Sequence, residues 1–212
     1  MKDILFLVAD GNTEQLFNGL LPRVPIASNT ALFSFDILVN PTHDAGNLND
    51  SHEYLRPFIK QYRFAVVVFD HEGCGEENKS PEDLENTVSK QLDKNGWEGR
   101  NKVLVIEPEL ENWIWMGSPK LKEAINWKSN EELHSWVANK GYLFNENSKP
   151  LRPKEAFEAA LRQARTPRSS SIYKKIASIV SYKSCNDRAF LELIKTLQEW
   201  FCKTTPVAKA WT

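Results

Sequence analysis

The chain has 212 residues, 41% hydrophobic and 26% charged, the balance of a soluble globular protein with a proper core. No stretch approaches the roughly 18 apolar residues that a membrane span needs, so no membrane role is expected. Cys74, Cys185 and Cys202 are odd in number and widely spaced, which argues against a disulfide framework or a structural zinc site. The first residues, "MKDILFLVADG", carry an acid at position 3 and lack a signal-peptide cleavage region, so a mature cytoplasmic chain is expected.

In chain order, apolar runs at 4–9, 33–39, 64–70 and 102–107 are predicted strands, each short and β-rich enough to be covered on both faces. Helices are predicted between them at 13–21, at 51–62 with an interruption at Pro57, and at 81–95. The last has good start signals: Ser80 as N-cap, Pro81 at the first position and acids in the first turn. Strand–helix alternation of this kind predicts a parallel α/β sheet. After Glu111 the chain becomes helical and aromatic, with Trp113, Trp115, Trp127 and Trp136 expected in the core rather than stacked on bases. A linker-like "YLFNENSKPLRP" leads to three predicted helices at 154–165, 171–182 and 187–201, with Asn186 placed to cap the last. The expected organisation is an α/β core over 1–116 and a basic helical extension over 117–212, packed on it.

The net charge of −1 conceals a division. Residues 1–115 carry 10 Lys/Arg against 19 Asp/Glu, and residues 116–212 carry 17 against 9. Two solvated faces of opposite sign would account for this. So would an acidic metal centre served by a basic surface that holds phosphates.

Three predicted strands end in acids. Asp10 follows the first, with Glu14 one helical turn later. Asp70 and Glu72 close the third, in "VVVFDHEGCG". Glu109 and Glu111 follow the fourth, in "VLVIEPELENWIW". In a doubly wound sheet, loops at the carboxyl ends of the strands form the ligand crevice. If strands 1 and 3 are neighbours, Asp10 faces Asp70 and Glu72. Like-charged carboxylates in a crevice repel and raise one another's pKa, which a hard divalent cation resolves. Each acid also has an ordinary reading as a turn or first-turn helix residue. His71 lies within the acidic motif, placed to bond a ligand, whereas His43, His52 and His134 read as surface or satisfied core residues.

The pattern resembles the Toprim fold shared by topoisomerases, primases and the overcoming-lysogenization-defect nucleases. It is most similar to a bacterial Toprim-like family of unknown function from methylation-associated and phage-defence neighbourhoods. "ADGNTEQLF", "DHEG", "PELENW" and "SSSIYKKI…CNDRAFLELIKTL" carry the likeness. Asp10 stands where that family has Glu, and Glu72 where it has Asp. The resemblance implies a Toprim-like (Rossmann-like), mostly parallel four-stranded α/β sheet with a helical C-terminal portion. It also implies a Mg²⁺- or Mn²⁺-dependent nuclease of an anti-phage system, with a separate ATPase partner in some relatives. On that reading Asp10, Glu14, Asp70 and Glu72 are catalytic, and Asp10, Asp70, Glu72, Glu109 and Glu111 are candidate metal ligands.

The basic half supplies candidate nucleic-acid contacts in Arg162, Arg165, Arg168, Lys174 and Lys175. Arg168 with Ser169–Ser171 at a predicted helix start is the best phosphate clamp among them. Two rival readings stay open. One is a non-catalytic, nucleic-acid- or partner-binding subunit of a defence complex. The other is a haloacid-dehalogenase-like phosphatase with Asp70 as nucleophile. No P-loop or Rossmann glycine fingerprint is present, which argues against a nucleotide switch.

Overall fold

Four apolar runs build an all-parallel sheet of order β2-β1-β3-β4, from β1 (Lys2–Val8), β2 (Phe35–Val39), β3 (Tyr62–Asp70) and β4 (Asn101–Ile106). The computed structural model describes residues 1–203; residues 204–212 of the expected extension lie outside it. The helices are α1 (Gly11–Leu20), α2 (Val24–Ala27), α3 (His43–Asn49), α4 (Ser51–Leu55), α5 (Pro81–Leu92), α6 (Lys120–Ala124), α7 (Leu133–Asn139), α8 (Pro153–Gln163), α9 (Ser170–Ile179) and α10 (Arg188–Trp200). The architecture is the expected Rossmann-like α/β sheet with a helical C-terminal portion. Among the described residues no helix is long and apolar enough to cross a membrane.

Alternate residues of each inner strand feed two cores. Ile4, Phe6 and Val8 of β1, with Val66, Val68, Leu104 and Ile106, meet α1 and the C-terminal helices. Leu5, Leu7, Val67, Phe69, Val103 and Val105 meet α3, α4 and α5 on the other face. Full burial of each such side chain is worth about 1.5–3 kcal/mol, which is why these strands read as unbroken apolar runs. Trp113, Trp115 and Trp136 lie in the first core, as expected, and residues from α6 to α10 complete it. The helical half therefore roofs one face of the sheet.

Parallel packing of α1 against α9 brings the tail to the site. Gly11, at the start of α1, lies beside Ser170 at the start of α9. Further along, a methyl group on Gly19 would stand 2.5 Å from the Lys174 carbonyl oxygen and 2.9 Å from Ala177, so only glycine permits this approach.

Four local expectations are corrected. The 51–62 helix stops at Leu55 and continues as a 3-10 turn, Arg56–Phe58, because Pro57 has no N–H to donate. Helix α5 ends at Leu92 and gives way to a π turn closed by Gly96 at φ 93°. Helix α3 was not anticipated in its polar stretch. It is held through the buried Asn47, whose side-chain amide donates to the Val68 carbonyl at 2.9 Å and accepts from Asn40 at 3.0 Å. Asp187, not Asn186, caps α10, accepting from the Phe190 N–H at 3.1 Å.

Candidate functional site

The connection changes direction between β1 and β3, since β1 runs outward to β2 and the chain then returns to the other side of β1. Pairing of Val8 with Val68 puts Asp10 and Asp70 at the same carboxyl-terminal edge. Each acid then has its own support. Asp10 caps α1, its Oδ1 accepting from the Thr13 N–H at 2.8 Å and the Thr13 hydroxyl at 2.7 Å, which leaves the second oxygen outside the cap. Asp44, on α3, accepts the Asp70 N–H at 2.8 Å and so fastens the β2–α3 turn to the end of β3. Asp70 accepts from the Leu110 N–H of the β4 loop. Glu111, 3% exposed, accepts from the Tyr173 hydroxyl of α9 at 2.5 Å.

These four carboxylates act on one another. Burial, then Asp44, Glu111 and Asp10, push Asp70 well above the usual carboxylate range. Burial and then Asp10 raise Asp44, and burial also raises Glu111, with Asp10 adding to it. The acids of strands 1, 3 and 4 are thus brought together, and the end of β2 contributes a fourth in Asp44.

Glu109 stands at the margin of this group. Only 5% exposed, it accepts the Lys154 N–H at 2.9 Å and lies 3.6 Å from the Lys154 ammonium. Burial, followed by Glu111, pushes its carboxyl up to about 7, despite Lys154. Burial pulls Lys154 down, but Glu109, Glu111 and Asp70 outweigh it and hold its ammonium above the ordinary lysine range.

Glu72 and Glu14 are less engaged. The Glu72 side chain is exposed; its backbone N–H donates to the Pro108 carbonyl at 2.9 Å, and its charge is felt at Glu109. Glu14 is half-buried in the first turn of α1, where a carboxylate suits the helix dipole. At His71 one ring nitrogen, Nε2, pairs with the Lys79 carbonyl at 2.8 Å.

Of the five expected basic contacts, Arg168 alone is tied to the acid group. Its guanidinium reaches the Tyr173 hydroxyl and lies 2.7 Å from Glu158, so an Arg168–Tyr173–Glu111 chain links the first cation to the acids. Arg162 lies 3.6 Å from the same Glu158. Arg165 sits in the loop after α8 at φ 53°. Lys175 donates to the Ala124 carbonyl at 2.7 Å, and Lys174 is exposed on α9. Ser169 precedes α9 without a side-chain cap bond, so the first N–H groups of that helix stay uncapped beside Gly11.

The residues missed from sequence are Asp44, Lys154, Tyr173 and Asp187. Asp187 is buried and accepts from Asn112 Nδ2 at 2.7 Å and Trp113 Nε1 at 2.8 Å while it caps α10. "ENW" and "CNDR" are therefore two halves of one joint. Asn112 also donates to the Glu107 carbonyl at 2.9 Å, which fixes the loop that carries Glu109 and Glu111.

Oxygen donors alone, crowded and partly buried, suit a hard divalent ion. Among the described residues no three His, Cys, Asp or Glu side chains form a ready-made shell. Mg²⁺ commonly takes only one or two carboxylates and completes its octahedron with water and phosphate. Two clefts, of about 610 and 630 Å³, lie elsewhere on the molecule. No family model, curated protein or solved structure matches this chain.

Proposed function

We propose that this chain is a Toprim-like, Mg²⁺- or Mn²⁺-dependent phosphodiester-cleaving protein acting on nucleic acid. The observation that carries the reading is the convergence of Asp10, Asp44, Asp70 and Glu111 at the ends of the four parallel strands, with Lys154 and Arg168 at the border. A cluster of this kind is destabilising by itself, because its carboxylates repel and burial deprives them of water. Its retention makes sense if a cation completes it.

Asp70 and Asp10 are the leading ligands, joined by Asp44 and Glu111. Bound there, the ion would stabilise negative charge on a phosphoryl group and lower the pKa of a coordinated water. The protein's own groups do the remaining work. Lys154, Arg168 and the uncapped start of α9 hold phosphate oxygens at the border of the cluster. Glu109, half protonated near neutral pH, is poised to exchange a proton at the scissile phosphate. Tyr173 keeps Glu111 in place by donating to it. Glu14 and Glu72 take supporting positions. The anti-phage setting and the separate ATPase partner rest on the motif resemblance alone.

A second reading, a binding subunit without catalysis, has one observation in its favour: Asp10 spends one carboxylate oxygen on its helix cap. The two readings part on a direct test. Purified protein is titrated with Mn²⁺ by calorimetry and incubated with single- and double-stranded DNA and RNA, alongside Asp70→Asn. The nuclease reading expects saturable Mn²⁺ binding and cleavage, both lost in the variant. Mn²⁺ binding without cleavage leaves the binding-subunit reading, and cleavage that survives Asp70→Asn removes the proposed centre.

A further inference from the structure

Between α2, the start of α6 and α10 lies a cleft of about 630 Å³, within the size range of small-ligand sites and lined by none of the acids above. Its apolar part is formed by Val24 and Ala27 on one side and Ile179, Phe190 and Ile194 on the other. Leu191, which also lines it, is 51% exposed.

The charged residues around this cleft are all of one sign: Arg23, Lys120, Lys183 and Lys195 line it, and no acid does. Arg23 is already engaged, donating to the Ala177 carbonyl and lying over the Tyr182 ring at 5.7 Å. Lys195 has a loose partner, Glu192, at 4.0 Å. Lys120 and Lys183 enter no ion pair among the described residues. They stand on neighbouring segments, because the Ser181 N–H donates to the Ser118 hydroxyl at 3.2 Å. Tyr182, which also lines the cleft with its ring stacked on Phe190, carries a buried hydroxyl without a hydrogen-bond partner, an arrangement that folded proteins rarely leave unexplained.

We infer that this cleft is a second binding site, separate from the acid cluster, for a small amphipathic anion. The apolar body of the ligand lies against Val24, Ala27, Leu191 and Ile194, and its carboxylate or phosphate head sits between Lys120 and Lys183. A purely apolar ligand would leave the two ammonium groups unused, and a free phosphate would leave the wall exposed to water.

Dodecyl phosphate, below its micelle concentration, is the probe, titrated calorimetrically into the full chain. Dodecyl maltoside supplies the same tail with a neutral head, and inorganic phosphate supplies the head without the tail. One-to-one binding of dodecyl phosphate is expected, with both controls at least about tenfold weaker. Lys120→Gln with Lys183→Gln should weaken the probe by about tenfold, and Ile194→Asp by more, with circular dichroism unchanged. Equal binding of dodecyl maltoside, or a lysine double variant that binds like the parent, overturns the inference. So does capture by anionic lipid vesicles without binding of the soluble probe. A variant with altered circular dichroism is replaced by Lys183→Gln alone, read against the same two outcomes.

Discussion

At the amino-terminal edge of the sheet, Asp36 accepts from the Lys2 ammonium at 2.7 and 2.8 Å and from the Tyr62 hydroxyl. Asp3 accepts from the Ser34 N–H at 2.9 Å and hydroxyl at 2.8 Å, and from Arg63 at 2.9 Å. At the carboxyl-terminal edge, Asp10, Asp44, Asp70 and Glu111 have hydrogen bonds but face chiefly one another. Asp3 and Asp36 are shifted one way, and Asp44, Asp70 and Glu111 the other. Lys2 and then Tyr62 hold Asp36 below its ordinary range, and Ser34 and Arg63 do the same for Asp3 against the upward pull of burial. Asp44, Asp70, Glu109 and Glu111 are all pushed up, with burial the largest cause. One edge is thus neutralised by its own side chains, while at the other the acids are buried against one another. Function is to be sought at the second edge.

The sharpest way to break this contrast is to remove one acid from each edge. Asp70→Ala should lower metal-dependent cleavage by at least about a hundredfold, the scale on which loss of a positioned charged group acts. Asp36→Ala should leave cleavage unchanged; gel assays on the same substrate compare the two. Next in size, Tyr173→Phe deprives Glu111 of its donor and should cost about 1.5–3 kcal/mol of stability, the range for a hydrogen bond to a charged group. Urea unfolding measures this, and added Mn²⁺ should recover part of the loss if Glu111 faces the ion.

The pH profile sharpens the comparison further. Folded Glu109 titrates near 7 against an ordinary value of 4.5, so its contribution to stability is fully present below 4.5 and is lost as pH rises through about 7. Asp36 runs the other way: its contribution is present above 3.8 and is lost as pH falls through its lower folded value. The melting temperature in chelator should therefore fall from pH 5 to pH 8, and Mn²⁺ should raise it more at pH 8 than at pH 5. In Glu109→Gln the fall should be shallower. The smallest effect is expected from Tyr182→Phe, away from both edges. Loss of an unpartnered hydroxyl should leave stability within about 0.5 kcal/mol of the parent, or raise it slightly.

Much of the sheet was legible because its strands are covered on both faces, and a run such as "FAVVVFD" fits no other setting well. The adjacency of Asp10 and Asp70 followed from doubly wound topology. Asp44 escaped because the same rule, an acid just past a strand end, was not applied to β2; "NPTHDAG" looks like a polar loop until Asn40 and Asn47 are seen fastening it beneath the site. Tyr173, Lys154 and Asp187 had no local signal. Their roles depend on where α8, α9 and α10 dock, and one helix's periodicity does not encode its neighbour. Asn186 and Asp187 are both good caps by composition, so only coordinates decide between them. His71, a motif position, has its Nε2 engaged by the backbone of Lys79, a contact that no local pattern announces.

Asp187 has one more implication. A single buried carboxylate receives Asn112 and Trp113 and begins α10, so the loop bearing Glu109 and Glu111 and the last helix are bolted to the same post. A designer transplanting these acids onto another parallel sheet would have to carry that distant helix with them. An excised front half, however complete its four strands, would lose that post and keep its glutamates on a loop tied only at Glu107, Pro108 and Leu110.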